Sequence, residues 1–318
     1  MPRLKHSDPA QPGIRRRRAG RGFSYRDAGG SPVSSADRER INGLVIPPAW
    51  RQVWICPFAN GHIQATGLDG AGRLQYLYHP RWRDRKDAEK FARAARLGMA
   101  MPRLRKTVAR HLRESRSGRT RTLAAAVRLM DLGALRIGDE SYRKRHGSHG
   151  LTTLRCRHVS IRGDELHLKF PGKSGQLWEC TLRDHRLAAF LLPLAGRAAD
   201  EVLLAFEDDG SWNAVGPGML NDYIRRAAGD GFTAKDLRTW KGTMAAARVL
   251  ARTAADVPAQ AALAKAFGEA AALLGNTAAV ARDAYVDPRL VEAFLDGSLH
   301  KLKSSEAAVA KFLADEAG

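Results

Sequence analysis

The sequence predicts an α+β protein: a small, mostly β N-terminal domain, then a larger, mostly α domain that carries a small three-stranded antiparallel sheet. Three observations predict it. "HIQATGLDGAGRLQYLYH" alternates apolar and polar residues on either side of a Gly/Asp turn, the pattern of a β-hairpin. "TLAAAVRLMDLGAL", "MLNDYIRRAAG", "LRTWKGTMAAARVLART" and "AALAKAFGEAAALLG" instead space their apolar residues three and four apart, as amphipathic helices do. Between the first two of these, "HVSIRGDELHLKF" and "QLWECTLR" return to alternation around turns. A chain of 318 residues with 44% hydrophobic content can bury a substantial core and divides into about two domains.

Taken in order, residues 1–22 hold seven Lys/Arg and one acid, include "RRRR" at 15–18 and show no apolar periodicity, so a disordered basic arm is expected there. The globular pattern starts at residue 23, and the β-rich domain is expected over 23–88. Residues 81–122, with fifteen Lys/Arg against four acids, read as helices with a basic face and form the densest candidate phosphate-binding surface. The mostly α domain is expected over 89–318, joined to the first near residues 88–92. Its tail, "SSEAAVAKFLADEAG", reads as a short terminal helix. Sustained internal repeats are absent.

The charge narrows the partners. With 53 Lys+Arg against 33 Asp+Glu, the formal net charge is +20 and the pI near 10.5. A field of that sign concentrates polyanions, although charge alone does not separate nucleic acid from an anionic membrane surface. No run approaches the roughly 20 apolar residues of a membrane-spanning helix. Cys56, Cys156 and Cys180 lie far apart with no CxxC pair, and no apolar stretch at the N-terminus could serve as a signal peptide, so a reducing cytoplasm is expected. The ten histidines form neither HExxH nor a zinc-finger spacing, so neither a metal nor another cofactor is expected.

Cutting a phosphodiester without a metal needs a nucleophile, positive donors around the pentacoordinate phosphorus, and an acid for the departing alkoxide. The chain offers candidates for each. Tyr285 in "RDAYVDPRL" is either a packed ring or an attacking phenol. Arg136 in "ALRIGDE" is either ion-paired with Asp139 or Glu140 or placed as a phosphate fork. Lys173 in "FPGKSGQ" sits at a Gly-rich tip between two strands, where a solvated turn lysine is the ordinary occupant. Arg238 opens a helix in "KDLRTWKGT" with Lys235 one turn earlier; most such residues are surface charges. Asn276 in "LLGNTAAV" follows a glycine at a helix end and is ordinarily a cap.

Their order and company decide between these readings. "RIGDESYRKRHGSHGLTTLRCRHV", then "GKSG", then "KDLRTW", then "LGNTAAVARDAYVDP" resembles the signature series of the type IB DNA topoisomerases, specifically the small poxvirus-like kind found in bacteria. The resemblance spans about 23–300, with its tightest motifs between 132 and 289. It implies the tyrosine recombinase/topoisomerase IB catalytic fold and two domains that close around duplex DNA as a clamp. It implies an enzyme that relaxes supercoiled DNA by transient single-strand cleavage, strand rotation and religation, without ATP or an obligatory metal. By the same resemblance Tyr285 attacks the scissile phosphate to give a 3′-phosphotyrosyl link and a 5′-hydroxyl strand. Arg136 and Arg238 clamp the nonbridging oxygens, Asn276 donates to one of them, Lys173 protonates the 5′-oxygen and Lys235 assists that transfer. A monomer acting on double-stranded DNA, cytoplasmic and nucleoid-associated, is the expected form.

The chain departs from the family pattern at three positions. Many members carry His where this chain has Asn276, although Asn occurs in the bacterial branch; Lys241 replaces a small residue after "RTW"; and Ala278 stands where proline is common. Tyrosine recombinases share the arginines, the hairpin lysine and the late tyrosine. They typically show His-x-x-Arg at the second arginine, where this chain has Lys235, and they lack the "GLTTL" stretch. A non-enzymatic basic DNA-binding protein is the remaining alternative. In the β-rich domain "RLQYLYHPRWR" supplies Gln75, Tyr76, Tyr78, Arg81 and Arg83, a mixture suited to base edges and phosphates in a major groove. Against this, Tyr76 and Tyr78 share one strand face and could equally form core.

Overall fold

The computed structural model describes residues 3–114, 118–229, 231–254, 256–301 and 304–315. Contacts divide the chain into two compact units, Met1–Glu89 and Lys90–Gly318.

The first unit is built on a five-stranded antiparallel sheet ordered β2-β1-β3-β4-β5. Its strands are β1 (Ile14–Ala19), β2 (Gly22–Arg26), β3 (Arg51–Ile55), β4 (Ile63–Leu68) and β5 (Leu74–Tyr78), and helix α1 (Ser35–Gly43) packs Ile41 against it. Ile14, Ile41, Ile46, Val53, Ile55 and Ala65 form the core. The expected hairpin is β4–β5, turned by Asp69, whose carboxylate accepts from the amides of Ala71 and Arg73.

The segment expected to be a disordered arm is a strand. β1 lies inside the sheet, with Ile14 opposite Ile55 in the core. Even Ser7 is buried, its hydroxyl bonded to both the carbonyl and the amide of Ile63. The charge run misled because the one arginine that turns partly inward satisfies its donors locally. Arg16 gives its N–H groups to the carbonyls of Ile46, Pro47 and Trp50 at 2.7–3.2 Å, and its guanidinium lies over the Phe23 ring. Arg15, Arg17 and Arg18 stay exposed.

Helix α2 (Pro80–Glu114) begins in the first unit and continues through the second, followed by α3 (Gly118–Gly133) and α4 (Glu140–His146). Strands β6 (Val159–Arg162), β7 (Glu165–Pro171) and β8 (Leu177–Arg183) make the expected three-stranded antiparallel sheet. After α5 (His185–Ala195) comes a second sheet that sequence patterning missed, the hairpin of β9 (Ala205–Asp208) and β10 (Ser211–Ala214). Its signal was present: Asp209 and Gly210 both adopt positive φ, as the two-residue turn that Asp-Gly favours requires.

The remaining elements are helical: α6 (Pro217–Ala228), α7 (Ala234–Leu250), α8 (Ala259–Leu274), α9 (Ala278–Tyr285), α10 (Pro288–Leu295) and the tail helix α11 (Glu306–Asp315). Trp240 of α7 is fully buried in the core of this unit, which also takes in Leu97, Met101 and Leu104 of α2 and Leu129 and Met130 of α3. Its indole N–H reaches Glu306 of α11 at 2.7 Å. Among the described residues no helix is long and apolar enough to cross a membrane.

Candidate active site

Helix α3 ends at Gly133, and Ala134, at φ 47°, swings the chain out of the helix so that Arg136 follows in an extended segment. That segment is zipped to the "GSHGLTTL" stretch. Leu151 N donates to the Arg136 carbonyl and Thr152 N to that of Ile137, both at 2.8 Å, and the Thr152 hydroxyl also reaches Ile137 O. Gly150 and Gly138 touch through their backbones: a Cβ on Gly150 would stand 2.6 Å from Gly138 Cα. From the same stretch His149 N donates to Pro171 O at 2.7 Å, two residues before Lys173. One short loop therefore holds both the Arg136 segment and the root of the Lys173 tip.

Arg136 is half-buried and gives one guanidinium nitrogen to Gly275 O at 3.2 Å and to the Asn276 side-chain oxygen. It forms no pair with Asp139 or Glu140: Asp139 caps α4 through the amides of Ser141 and Tyr142, and Glu140 is held by Arg143 and Arg155. Burial draws the Arg136 guanidinium down from its ordinary value, and the nearby Tyr285 phenol works against that shift.

Asn276 is not a cap. Thr277 takes that position for α9, its hydroxyl accepting from Val280 N, while Gly275 ends α8 in the left-handed conformation at φ 57°. No side chain fits at Gly275, because a Cβ would meet the Trp178 ring at 2.1 Å. A guanidinium offers only donors, so Asn276 must turn its oxygen to Arg136, and its amide nitrogen is left to donate. That nitrogen is buried and has no acceptor among the described residues.

Arg238, in the second turn of α7, is 5% exposed, which excludes the surface-charge reading. Its terminal nitrogens donate to the carbonyls of Ala134 and Leu274, and its Nε is buried without an acceptor among the described residues. The guanidinium carbon lies 5.3 Å from the Tyr285 ring centroid. Burial, with the charge of Arg136 added, holds the group down to about 10, so it remains a cation at neutral pH.

Tyr285 is the last residue of α9. Its carbonyl accepts from the Thr243 hydroxyl of α7 at 2.9 Å, and the same hydroxyl receives Asp287 N. Gly242 permits this approach, since a Cβ there would lie 2.8 Å from the Tyr285 Cβ. Burial pushes the phenol up, but the charge and hydrogen bond of Arg238 and the charges of Arg136 and Lys173 outweigh it, and the net position is below the ordinary tyrosine range. Lys173 is exposed at its tip between β7 and β8, and its field reaches the phenol. Lys235 is exposed in the first turn of α7, next to a capping box between Thr233 and Asp236.

Tyr285, Arg136, Arg238, Asn276 and Lys173 thus come from five separate segments. Sequence reasoning missed the residues that hold them: Gly242, Thr243, Gly275 and Trp178. The departures at Lys241 and Ala278 have local explanations. Lys241 pairs with buried Asp131, which Arg105 also binds. Ala278 is the first helical residue of α9, where the N–H has no intrahelical acceptor and alanine and proline are both compatible.

In the first unit β5 places Tyr76 and Tyr78 outward, 42% and 38% exposed, with their rings stacked 5.8 Å apart. The core alternative for these two fails. Gln75 faces the other side of the strand and donates to Asp69 at 2.9 Å, so the strand does not present it beside Tyr76. Arg81 and Arg83 are exposed at the start of α2.

Comparison with known proteins finds two family matches. Residues 79–311 match the catalytic core of eukaryotic DNA topoisomerase I, and residues 22–69 match the N-terminal domain of bacterial DNA topoisomerase IB. A DNA topoisomerase 1B of Acanthamoeba polyphaga mimivirus is 31% identical over 285 residues, covering 86% of this chain and 85% of the viral protein. The DNA topoisomerase 1B of vaccinia virus (strain Copenhagen) is 26% identical over 176 residues, 55% of this chain and 53% of its own. A DNA topoisomerase 1 of Mycosarcoma maydis is 25% identical over 203 residues, 57% of this chain and 20% of its own.

Proposed function

The chain belongs to the type IB DNA topoisomerases, and from that premise we propose that it relaxes supercoiled duplex DNA through a 3′-phosphotyrosyl intermediate formed on Tyr285. The phenol oxygen attacks the scissile phosphorus, the P–O5′ bond breaks, and the freed strand rotates before the 5′-hydroxyl reverses the step. Each cleavage trades one phosphodiester for another, so no ATP is needed for resealing.

The observation that carries the reading is the ring of donors around one phenol. Arg136 and Arg238 are the cations for the nonbridging oxygens, where negative charge grows in the transition state. Two donors of this site that are buried without acceptors among the described residues, Arg238 Nε and Asn276 Nδ2, fit the same role. Lys173 delivers a proton to the 5′-oxygen from its strand tip, and Lys235, one turn before Arg238, assists. Tyr76, Tyr78, Arg81 and Arg83 of the first unit, with Gln75 behind them, contact duplex DNA. The protein acts as a monomer in the cytoplasm, at the nucleoid.

Relaxation of a supercoiled plasmid in EDTA without ATP tests the reading. Stepwise relaxation is the expected outcome. Plasmid that stays supercoiled at every protein concentration, while duplex binding persists, would leave only a DNA-binding protein. Products rejoined at exchanged sites would point to a recombinase.

A further inference from the structure

At the end of α3 remote from Arg136, a cavity of about 670 Å³ opens among α2, the first turns of α3, and α6. Arg103 and Arg110 of α2, Arg119 of α3 and Arg226 of α6 line it, and among the described residues no acidic one does. None of the four forms an ion pair with a carboxylate among the described residues. Glu114, the acid nearest Arg110 along α2, is paired with Arg113, and the Arg110 charge reaches it as the weaker influence. At the wall the ring of His111 and the hydroxyl of buried Tyr223 share a hydrogen bond at 2.9 Å, and Leu123 and Ala227 add apolar surface. Burial first, and then the Arg110 charge, lowers the His111 imidazole from its ordinary value, so at neutral pH the wall is polar but uncharged.

Four guanidiniums around one concavity, none of them ion-paired among the described residues, repel each other, and a compact, multiply charged anion relieves that repulsion better than scattered counterions do. The cavity lies at the opposite end of α3 from the Arg136 segment. From Arg119 to the end of α3 at Gly133, the helix rise of about 1.5 Å per residue gives roughly 20 Å. Guanidiniums suit phosphate oxygens bidentately, and the volume lies in the range of small-ligand pockets, about 300–1,000 Å³.

We propose that this cavity is a second phosphate site, distinct from the one at Tyr285, that takes a small polyphosphate anion of the tripolyphosphate or nucleoside triphosphate kind. The site is independent of the chemistry at Tyr285, so a wrong assignment of the nucleophile would leave it standing.

The test is calorimetric titration of the full chain with inorganic tripolyphosphate and, separately, with ATP, at physiological ionic strength. Saturable binding of one anion per chain is expected. Arg110→Gln and Arg226→Gln should each weaken it about tenfold or more, the scale of a lost charge-assisted hydrogen bond. Arg225→Gln, which removes a neighbouring α6 charge paired with Asp222, should leave it unchanged. Equal binding of both anions would assign recognition to the phosphates alone, and tighter binding of ATP would add the nucleoside, both within the proposal. Non-saturating heats, or equal weakening by Arg225→Gln, would reduce the cavity to diffuse attraction and overturn it. So would a result in which Arg110→Gln and Arg226→Gln weaken short-duplex binding as strongly as tripolyphosphate binding, because the arginines would then belong to the DNA interface.

Discussion

A phenol among cations is a stronger acid than a phenol in water, and Tyr285 shows how the balance is struck. Burial alone would raise it, while Arg238, Arg136 and Lys173 together pull it below its ordinary value near 10. The phenolate, the proposed nucleophile, is therefore populated at lower pH than in free tyrosine. Single-turnover cleavage should rise with pH and level off below 10, and Arg238→Ala, which removes the largest favourable contribution, should move that inflection upward. An inflection that stays in place would separate Arg238 from the phenol. Lys173 has its own test, because a turn lysine of no function predicts almost no effect. Lys173→Ala should slow cleavage of ordinary DNA by about 10²–10⁴-fold. On a substrate with sulfur at the bridging 5′ position the defect should nearly vanish, since a thiolate leaves without a proton, whereas Arg136→Ala should stay impaired. An equal Lys173→Ala defect on both substrates would make the lysine a phosphate contact and turn attention to Lys235. Sequence motifs found these residues but not their settings. Arg238 is buried only because Ala134 and Leu274, 104 and 36 residues away, present their carbonyls to it. No local pattern encodes that.

Between elements, Tyr285, the proposed nucleophile, is held by the packing of α7 against α9. Gly242→Ala would place a methyl 2.8 Å from Tyr285 Cβ, 2.9 Å from Leu274 Cδ1 and 3.0 Å from Tyr285 O. Overpacking of this kind costs about 1–3 kcal/mol, and displacement of a reacting group by about 1 Å can cost 10²-fold in rate. The expected result is a modest fall in Tm with a loss of cleavage far larger than the loss of stability. A proportionate loss of both would mean that Gly242 serves folding alone. A second junction ties α2, α3, α7 and α11 together: Arg105 binds Asp131 and Glu306, Lys241 binds Asp131, and Trp240 binds Glu306. Burial raises the Asp131 carboxyl, but Arg105 and Lys241 reverse this and leave it below its ordinary value. The stability it contributes is therefore present above the unfolded carboxylate pKa near 3.9 and lost as pH falls through the lower folded value. Asp131→Asn should lower stability at pH 7 and flatten its acid limb. An unchanged acid limb would place the acid-labile group elsewhere.

Across the whole molecule, the legible parts are those whose periodicity is uninterrupted: the β4–β5 hairpin, the three-stranded sheet, and helices α3 and α6 to α8. What escaped is structure whose sequence signal is overwritten by charge or brevity. β1 hides in "IRRRRA" because only Ile14 marks its inner face, and the β9–β10 hairpin has four residues per strand. The strand at the N-terminus changes what a truncation should do. Removing residues 1–21 takes away β1, the Ser7 contacts and the Arg16 bonds, so the unit containing them should unfold at lower temperature. A truncated chain with an unaltered melting profile and only weaker DNA binding would restore the arm reading. The net charge of +20 acts at this scale too, because it attracts duplex DNA without choosing where on the protein the chemistry occurs. That choice rests on Tyr285, and it is tested most directly by trapping the covalent complex on end-labelled duplex, digesting the protein and identifying the nucleotide-bearing peptide. The label is expected on Tyr285, joined to the 3′-phosphate end of the broken strand, with no adduct from Tyr285→Phe; label on any other residue, or an adduct of undiminished yield from Tyr285→Phe, would contradict the assignment.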